Sequence, residues 1–154
     1  IIRIRSSMVI PPYGHYTIYC QNSKFIFAQF LSYSKSEKPS NVKTKYAVNK
    51  LNKYFSNKEI FFDDGSVEHI VSETEGENAL NIGNLVLLEQ VLNGEAGHKC
   101  YIDKIHIYQK SCYIWVKKFI ENYTQWNESM IKERAKKLAR IYYEDILKRD
   151  IEQS

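Results

Sequence analysis

Glu68-His69, Asn84 and Asn93 are residues of this 154-residue chain whose types could serve hydrolysis of a phosphodiester. That reaction is hard for three reasons: the ester is anionic, water is a poor nucleophile, and the leaving alkoxide is a strong base. A site must therefore supply a base that titrates near neutrality, a divalent cation for the phosphate and the leaving oxygen, and something to hold the base in place. Histidine, with an ordinary pKa near 6.5, suits the first task. Carboxylate and amide oxygens suit Mg²⁺ or Mn²⁺ for the second.

These residues need elements to position them. Val67-Glu68-His69-Ile70-Val71 reads as a short strand after an Asp63-Asp64-Gly65-Ser66 turn, and residues 72–81 read as a polar loop. Asn84 opens a second short strand, NLVLL, and Asn93 falls just after it at the start of a helix. Adjacent strand side chains point to opposite faces, so Glu68 and His69 share a site only at a bulge or at a strand end. Before this core, the periodicity predicts a helix from Ser23 to about Tyr33. A second, from Val42 to Phe55, has Tyr46, Val48, Leu51, Tyr54 and Phe55 on its apolar face and Lys43, Lys45, Lys50 and Lys53 elsewhere. After the core, helices are expected from Cys112 to about Tyr123 and from Glu128 to Lys148, the latter capped by Asn127. The first twenty residues, around Pro11-Pro12 and Gly14, read as irregular or extended.

Charge is segregated along the chain. Residues 1–58 carry ten Lys/Arg and one acid, residues 59–98 nine acids and no Lys/Arg, and residues 99–154 twelve Lys/Arg and eight acids. An acidic segment between two basic ones fits a metal-binding stretch flanked by phosphate-facing surfaces, although a lysine excess is also the ordinary make-up of a solvated face. Three cysteines, Cys20, Cys100 and Cys112, form no CxxC pair. A disulfide framework and a zinc knuckle are therefore not expected, and a reducing cytoplasm is. No run approaches the roughly 20 apolar residues of a membrane span. The chain begins at Ile1 in a strand-like IIRIR run, as the C-terminal piece of a longer polypeptide would.

The motifs Glu68-His69-Ile70, Ile82-Gly83-Asn84-Leu85 with Leu87, then Asn93, Lys104, Tyr108 and Ser111 resemble the HNH (His-Me finger, ββα-metal) nucleases. They resemble above all the C-terminal HNH domain of GmrSD-type, modification-dependent (type IV) restriction endonucleases. The likeness covers roughly residues 42–140, including KYAVNKL and the stretch from Trp126 to Arg134. Ser72-Glu73 stands where the family usually has Pro-Gln.

The resemblance implies an α+β fold, a small ββα-metal core near residues 59–107 flanked by helices. It divides the chain into an extension, 1–41, and a nuclease domain, 42–154, whose C-terminal helices span 112–148. It implies that His69 takes a proton from water, that Glu68 and Asn93 hold one Mg²⁺ or Mn²⁺ ion, and that Asn84 braces the loop behind the imidazole. Lys104 and Lys99 would then meet phosphate, and the products would be a 5′-phosphate and a 3′-hydroxyl. Further implications are DNA as substrate, restriction of foreign DNA as the role, and an upstream nucleotide-sensing or nucleotide-hydrolysing domain or subunit as partner. The rival reading is an inactive nucleic-acid-binding or scaffold module that works through its basic helices. His98 is a weaker candidate for the metal. The aromatic run Tyr108, Tyr113, Trp115, Tyr123 and Trp126 reads as core packing ahead of base stacking.

Overall fold

Two short strands carry the candidate residues, and helices enclose them. The structure is a computed structural model describing Ala28 and residues 31–36, 38–57 and 65–149. Strand β1 (Ser66–His69) pairs antiparallel with β2 (Leu85–Leu88), from Ser66 opposite Leu88 to His69 opposite Leu85. Gly65 enters β1 at φ +63°, a left-handed conformation that glycine adopts without steric cost. All four residues of β2 and the last three of β1 are buried. Helix α1 (Ser40–Phe55) precedes the strands. After them come α2 (Gln90–Ala96), α3 (Tyr101–Tyr108), α4 (Ile114–Asn122) and α5 (Glu128–Arg140), and α5 continues as a π-helical turn over Ile141–Ile146. The fold is α+β, with a ββα unit formed by β1, β2 and α2.

Asn127 caps α5 as its residue type predicts, its Oδ1 accepting from the Met130 N–H at 3.1 Å. Helix α1 buries Thr44, Ala47, Val48, Leu51 and Asn52, whereas Tyr46 and Tyr54 are 55% and 41% exposed. The expected apolar face was therefore drawn too wide. Tyr46 lies under Lys50, and the Tyr54 hydroxyl donates to Asp145 at 2.9 Å. Asn93 sits inside α2, because β2 ends at Leu88 and Glu89 already turns the chain into the helix.

The helix expected over 23–33 does not reach its stated end, since Ser32 bridges Asn81 as extended chain. The rest of that helix, the first twenty residues with His15 and Cys20, and Asp63-Asp64 lie outside the described residues. Residues 31–35, expected to belong to an extension, are stitched to the core. Ile82 N–H donates to the Leu31 carbonyl at 2.7 Å, Tyr33 N–H to the Leu80 carbonyl at 2.9 Å, and Lys35 N–H to Glu73 Oε2 at 2.8 Å. Among the described residues no helix is long and apolar enough to cross a membrane.

The turn Ile82–Asn84 leads into β2 and packs against α5. At Gly83 the approach is so close that an added Cβ would sit 2.0 Å from the Ile131 carbonyl oxygen and 2.9 Å from the Ala135 nitrogen. Backbone cannot yield as a flexible side chain can. Gly83→Ala is expected to cost about 3 kcal/mol, the upper end of typical overpacking, and to lower the melting temperature by roughly 6–12 °C in a thermal melt. A melt unchanged within 1 °C or so would show that the turn can move off the helix.

Candidate active site

The geometry of β1 starts from its regular ladder. Glu68 and His69 occupy successive positions with no bulge between them, and His69 is the strand's last residue. The pleat sends them to different neighbours. Glu68 meets α3, and His69 meets the segment around Tyr33.

His69 is 2% exposed, and its Nε2 lies 2.8 Å from the Tyr33 carbonyl oxygen. A carbonyl only accepts, so Nε2 carries the proton and the neutral ring keeps its lone pair on Nδ1. Nδ1 is buried and has no hydrogen-bond partner among the described residues. Burial pushes the His69 pKa below its ordinary value, opposed by the bond to Tyr33 and the charge of Glu73. Burial thus favours the neutral ring, whose one basic nitrogen, Nδ1, is itself buried.

Two hydrogen bonds fix the backbone around it. The His69 carbonyl accepts from Lys104 Nζ at 2.6 Å, and the Ile70 N–H donates to the Asn84 carbonyl at 2.9 Å. Asn84, fully buried, then ties the following loop with its side chain. Its Nδ2 donates to the Val71 and Ala79 carbonyls at 2.8 and 2.7 Å, and its Oδ1 accepts from Val71 N–H and Trp126 Nε1, both at 3.0 Å. Every polar position of that amide is engaged in the fold.

Lys104 is fully buried, which excludes the direct phosphate contact expected of it. It lies on the inner stripe of α3 with Tyr101, Ile107 and Tyr108, and its Nζ pairs with Glu68 Oε1 at 2.7 Å. The Tyr108 hydroxyl donates to the same oxygen at 3.0 Å. Burial pushes the Glu68 carboxyl above its ordinary pKa, and Lys104 and Tyr108 hold it back. Both donors use Oε1, so any cation held by Glu68 must use Oε2. Lys99 is exposed, and its ammonium donates to the Glu95 carbonyl.

Asn93 approaches β1 from α2. Its Nδ2 donates to Ser66 Oγ at 2.8 Å and to the Val67 carbonyl at 3.1 Å, which turns Oδ1 away from those partners. The structure thus gathers Glu68, His69 and Lys104 into one bonded cluster and attaches Asn93 to the other end of β1. No hydrogen bond among the described residues joins the His69 ring to Asn93. His98 is exposed, and its Nδ1 lies 3.1 Å from Ser72 Oγ, so it braces the loop after His69 where the family has proline.

Several supporting residues had no role in the sequence reading. Tyr33 contributes a backbone carbonyl, which no side-chain pattern reports. Glu89 binds Ser111 Oγ at 2.8 Å and Cys112 N–H at 2.6 Å, clamping the start of α2 to the loop after α3. Arg134 donates to the Gly83 and Leu85 carbonyls at 2.5 and 3.0 Å, on either side of Asn84. A cation inside the apolar stripe Ile131, Ala135 and Leu138 was the signal for it.

An ion such as Mg²⁺ fits the chemistry of this donor set. Among the described residues no three His, Cys, Asp or Glu side chains gather into a group that could hold a metal ion. Mg²⁺ instead needs only one or two protein oxygens and keeps water and phosphate as its other ligands.

No curated protein and no solved structure matches the chain. The model of the family described as GmrSD restriction endonucleases, C-terminal domain, matches residues 21–141, a span that includes the Tyr33 segment as well as β1, β2 and all five helices. The chain therefore belongs to the family of GmrSD restriction endonuclease C-terminal domains.

Proposed function

We propose that this chain is a metal-dependent HNH endonuclease unit that hydrolyses DNA phosphodiesters in restriction of foreign DNA, with His69 as general base. The observation that carries this reading is the His69 imidazole, with Nε2–H tethered to a carbonyl and Nδ1 left with a lone pair and no partner among the described residues. A base must be neutral, oriented and near water; burial favours the neutral ring and the tether orients it. Lys104 and Asn84 act through His69: one holds its carbonyl and the other holds the next peptide, so the ring direction is set by the backbone. Asn93 Oδ1 and Glu68 Oε2 would hold the divalent cation, Mg²⁺ or Mn²⁺. When bound, that cation would neutralise the scissile phosphate and stabilise the leaving oxygen. Lys99, exposed beyond α2, would meet a neighbouring phosphate. By family analogy, an upstream nucleotide-sensing or nucleotide-hydrolysing domain or subunit would license cutting.

Nicking of supercoiled plasmid by the purified chain, with Mg²⁺ or Mn²⁺ and with excess chelator, tests the reading. Cleavage with either ion and none with chelator is expected. Asn93→Ala is expected to raise the cation concentration needed for half-maximal nicking at least tenfold, because one of few protein ligands is gone. Complete inertness with both ions, accompanied by DNA binding that weakens steeply with salt, would leave the inactive binding module as the better reading.

A further inference from the structure

A pocket of about 350 Å³ opens between α4 and α5, away from the tether on His69. Its lining includes Trp115, Phe119, Tyr123, Arg134, Lys118 and Lys137, and no acidic residue. Arg134 is the unusual member. It is 4% exposed, and its guanidinium lies 5.2 Å from the Trp115 ring centre and 4.9 Å from that of Phe119. One nitrogen, Nη1, is used on the Gly83 and Leu85 carbonyls, while Nη2 is buried with no partner among the described residues. Arg134 takes part in no ion pair among the described residues.

A buried guanidinium without a counter-charge is costly, and aromatic faces compensate it only in part. Here it lies in the lining of a cavity, and Lys118 and Lys137 are exposed around it, so the local field is positive, with no acidic side chain among the described residues of the lining. The field asks for an anion and the rings ask for a flat apolar body. The volume is that of a small-ligand site, at the lower end of the roughly 300–1,000 Å³ such pockets span.

We propose that this pocket binds a nucleoside phosphate, its base against the half-buried Phe55 and Tyr123 rings and its phosphate held by the exposed Lys118 and Lys137 in the field of Arg134. The ligand is either a free nucleotide or one nucleotide of a single strand. The inference does not rest on catalysis at His69, and it can be read with no divalent cation present. Through Arg134 the occupant adjoins the two carbonyls that flank Asn84.

The chain's two tryptophans, Trp115 and Trp126, both lie within 6 Å of the Arg134 guanidinium by ring centre, so intrinsic fluorescence reports on the site. In chelator, the chain would be titrated with deoxyadenosine 5′-monophosphate, with a short single-stranded oligodeoxynucleotide and with inorganic phosphate. Saturable quenching by a nucleotide probe is expected, with phosphate alone at least tenfold weaker and the Lys118→Ala/Lys137→Ala double variant at least tenfold weaker for the nucleotide. Both lysines are exposed, so the variant keeps the fold. Quenching by the mononucleotide identifies a free-nucleotide site, and quenching by the oligonucleotide alone identifies a strand subsite. Absence of quenching by either, quenching equal with phosphate, or quenching indifferent to the double variant would overturn the proposal, whatever the plasmid assay gives.

Discussion

His69→Ala is expected to nick plasmid about 10²–10⁴-fold more slowly than the parent chain, the usual worth of a positioned general base. The pH profile of the parent should carry the same signature. Burial holds the His69 pKa below 6.5, so the acid limb of kcat/KM should lie below pH 6.5, and it should disappear from the residual activity of His69→Ala. Stability gives an independent reading with a definite sign. A histidine whose folded pKa is depressed binds fewer protons folded than unfolded as pH falls below 6.5. Its contribution to stability is therefore complete above pH 6.5 and is lost as pH drops toward the folded value. Thermal melts from pH 8 down to 5 should show the parent losing more stability than His69→Ala over that window. Undiminished nicking by the variant would remove the base assignment, and an acid limb at or above 6.5 would contradict the buried, tethered ring.

How much of this was legible in the sequence depends on what kind of contact each residue makes. Ile82-Gly83-Asn84-Leu85 could be read as a block because three demands fall on adjacent positions. Ile82 is buried, Gly83 touches the α5 backbone, and Asn84 saturates its amide on the loop it closes. The Asn127 cap and the α5 stripe were readable for local reasons, since both depend on residues within one or two turns. Lys104 was expected to meet phosphate, which requires an ammonium in contact with solvent. Its spacing told otherwise, three residues after Tyr101 and four before Tyr108, on the stripe that α3 buries. Tyr33 was out of reach altogether, because a carbonyl 36 residues before His69 in the chain has no side-chain signal. The alternation objection was sound: β1 is regular through both residues, Glu68 faces α3 and the His69 ring faces the Tyr33 segment.

The Glu68–Lys104 pair carries the larger stability prediction. Both side chains are almost wholly removed from water, at 1% and 0% exposed, and both of Lys104's acceptors belong to β1. Lys104→Met keeps the length of the side chain and removes the charge, leaving a buried carboxylate with only the Tyr108 hydroxyl. A cost of about 3–5 kcal/mol is expected, or a melting temperature lower by roughly 6–20 °C. The deficit should itself depend on pH. Without Lys104 the Glu68 carboxyl rises further above its ordinary value, so the folded variant holds that proton to higher pH than the parent. A raised folded pKa stabilises fully below the ordinary value and loses that stabilisation as pH climbs through the folded one. The gap between variant and parent should therefore be wider at pH 8 than at pH 5. Adding Glu68→Leu to Lys104→Met removes the stranded carboxylate and should recover much of the lost stability, because an apolar pair can replace a buried ionic one. Nicking should not recover with it, since Glu68 Oε2 would be gone and the His69 carbonyl would still lack its lysine. A double variant that regained both stability and cleavage would reduce Glu68 and Lys104 to a structural pair and leave the cation to Asn93.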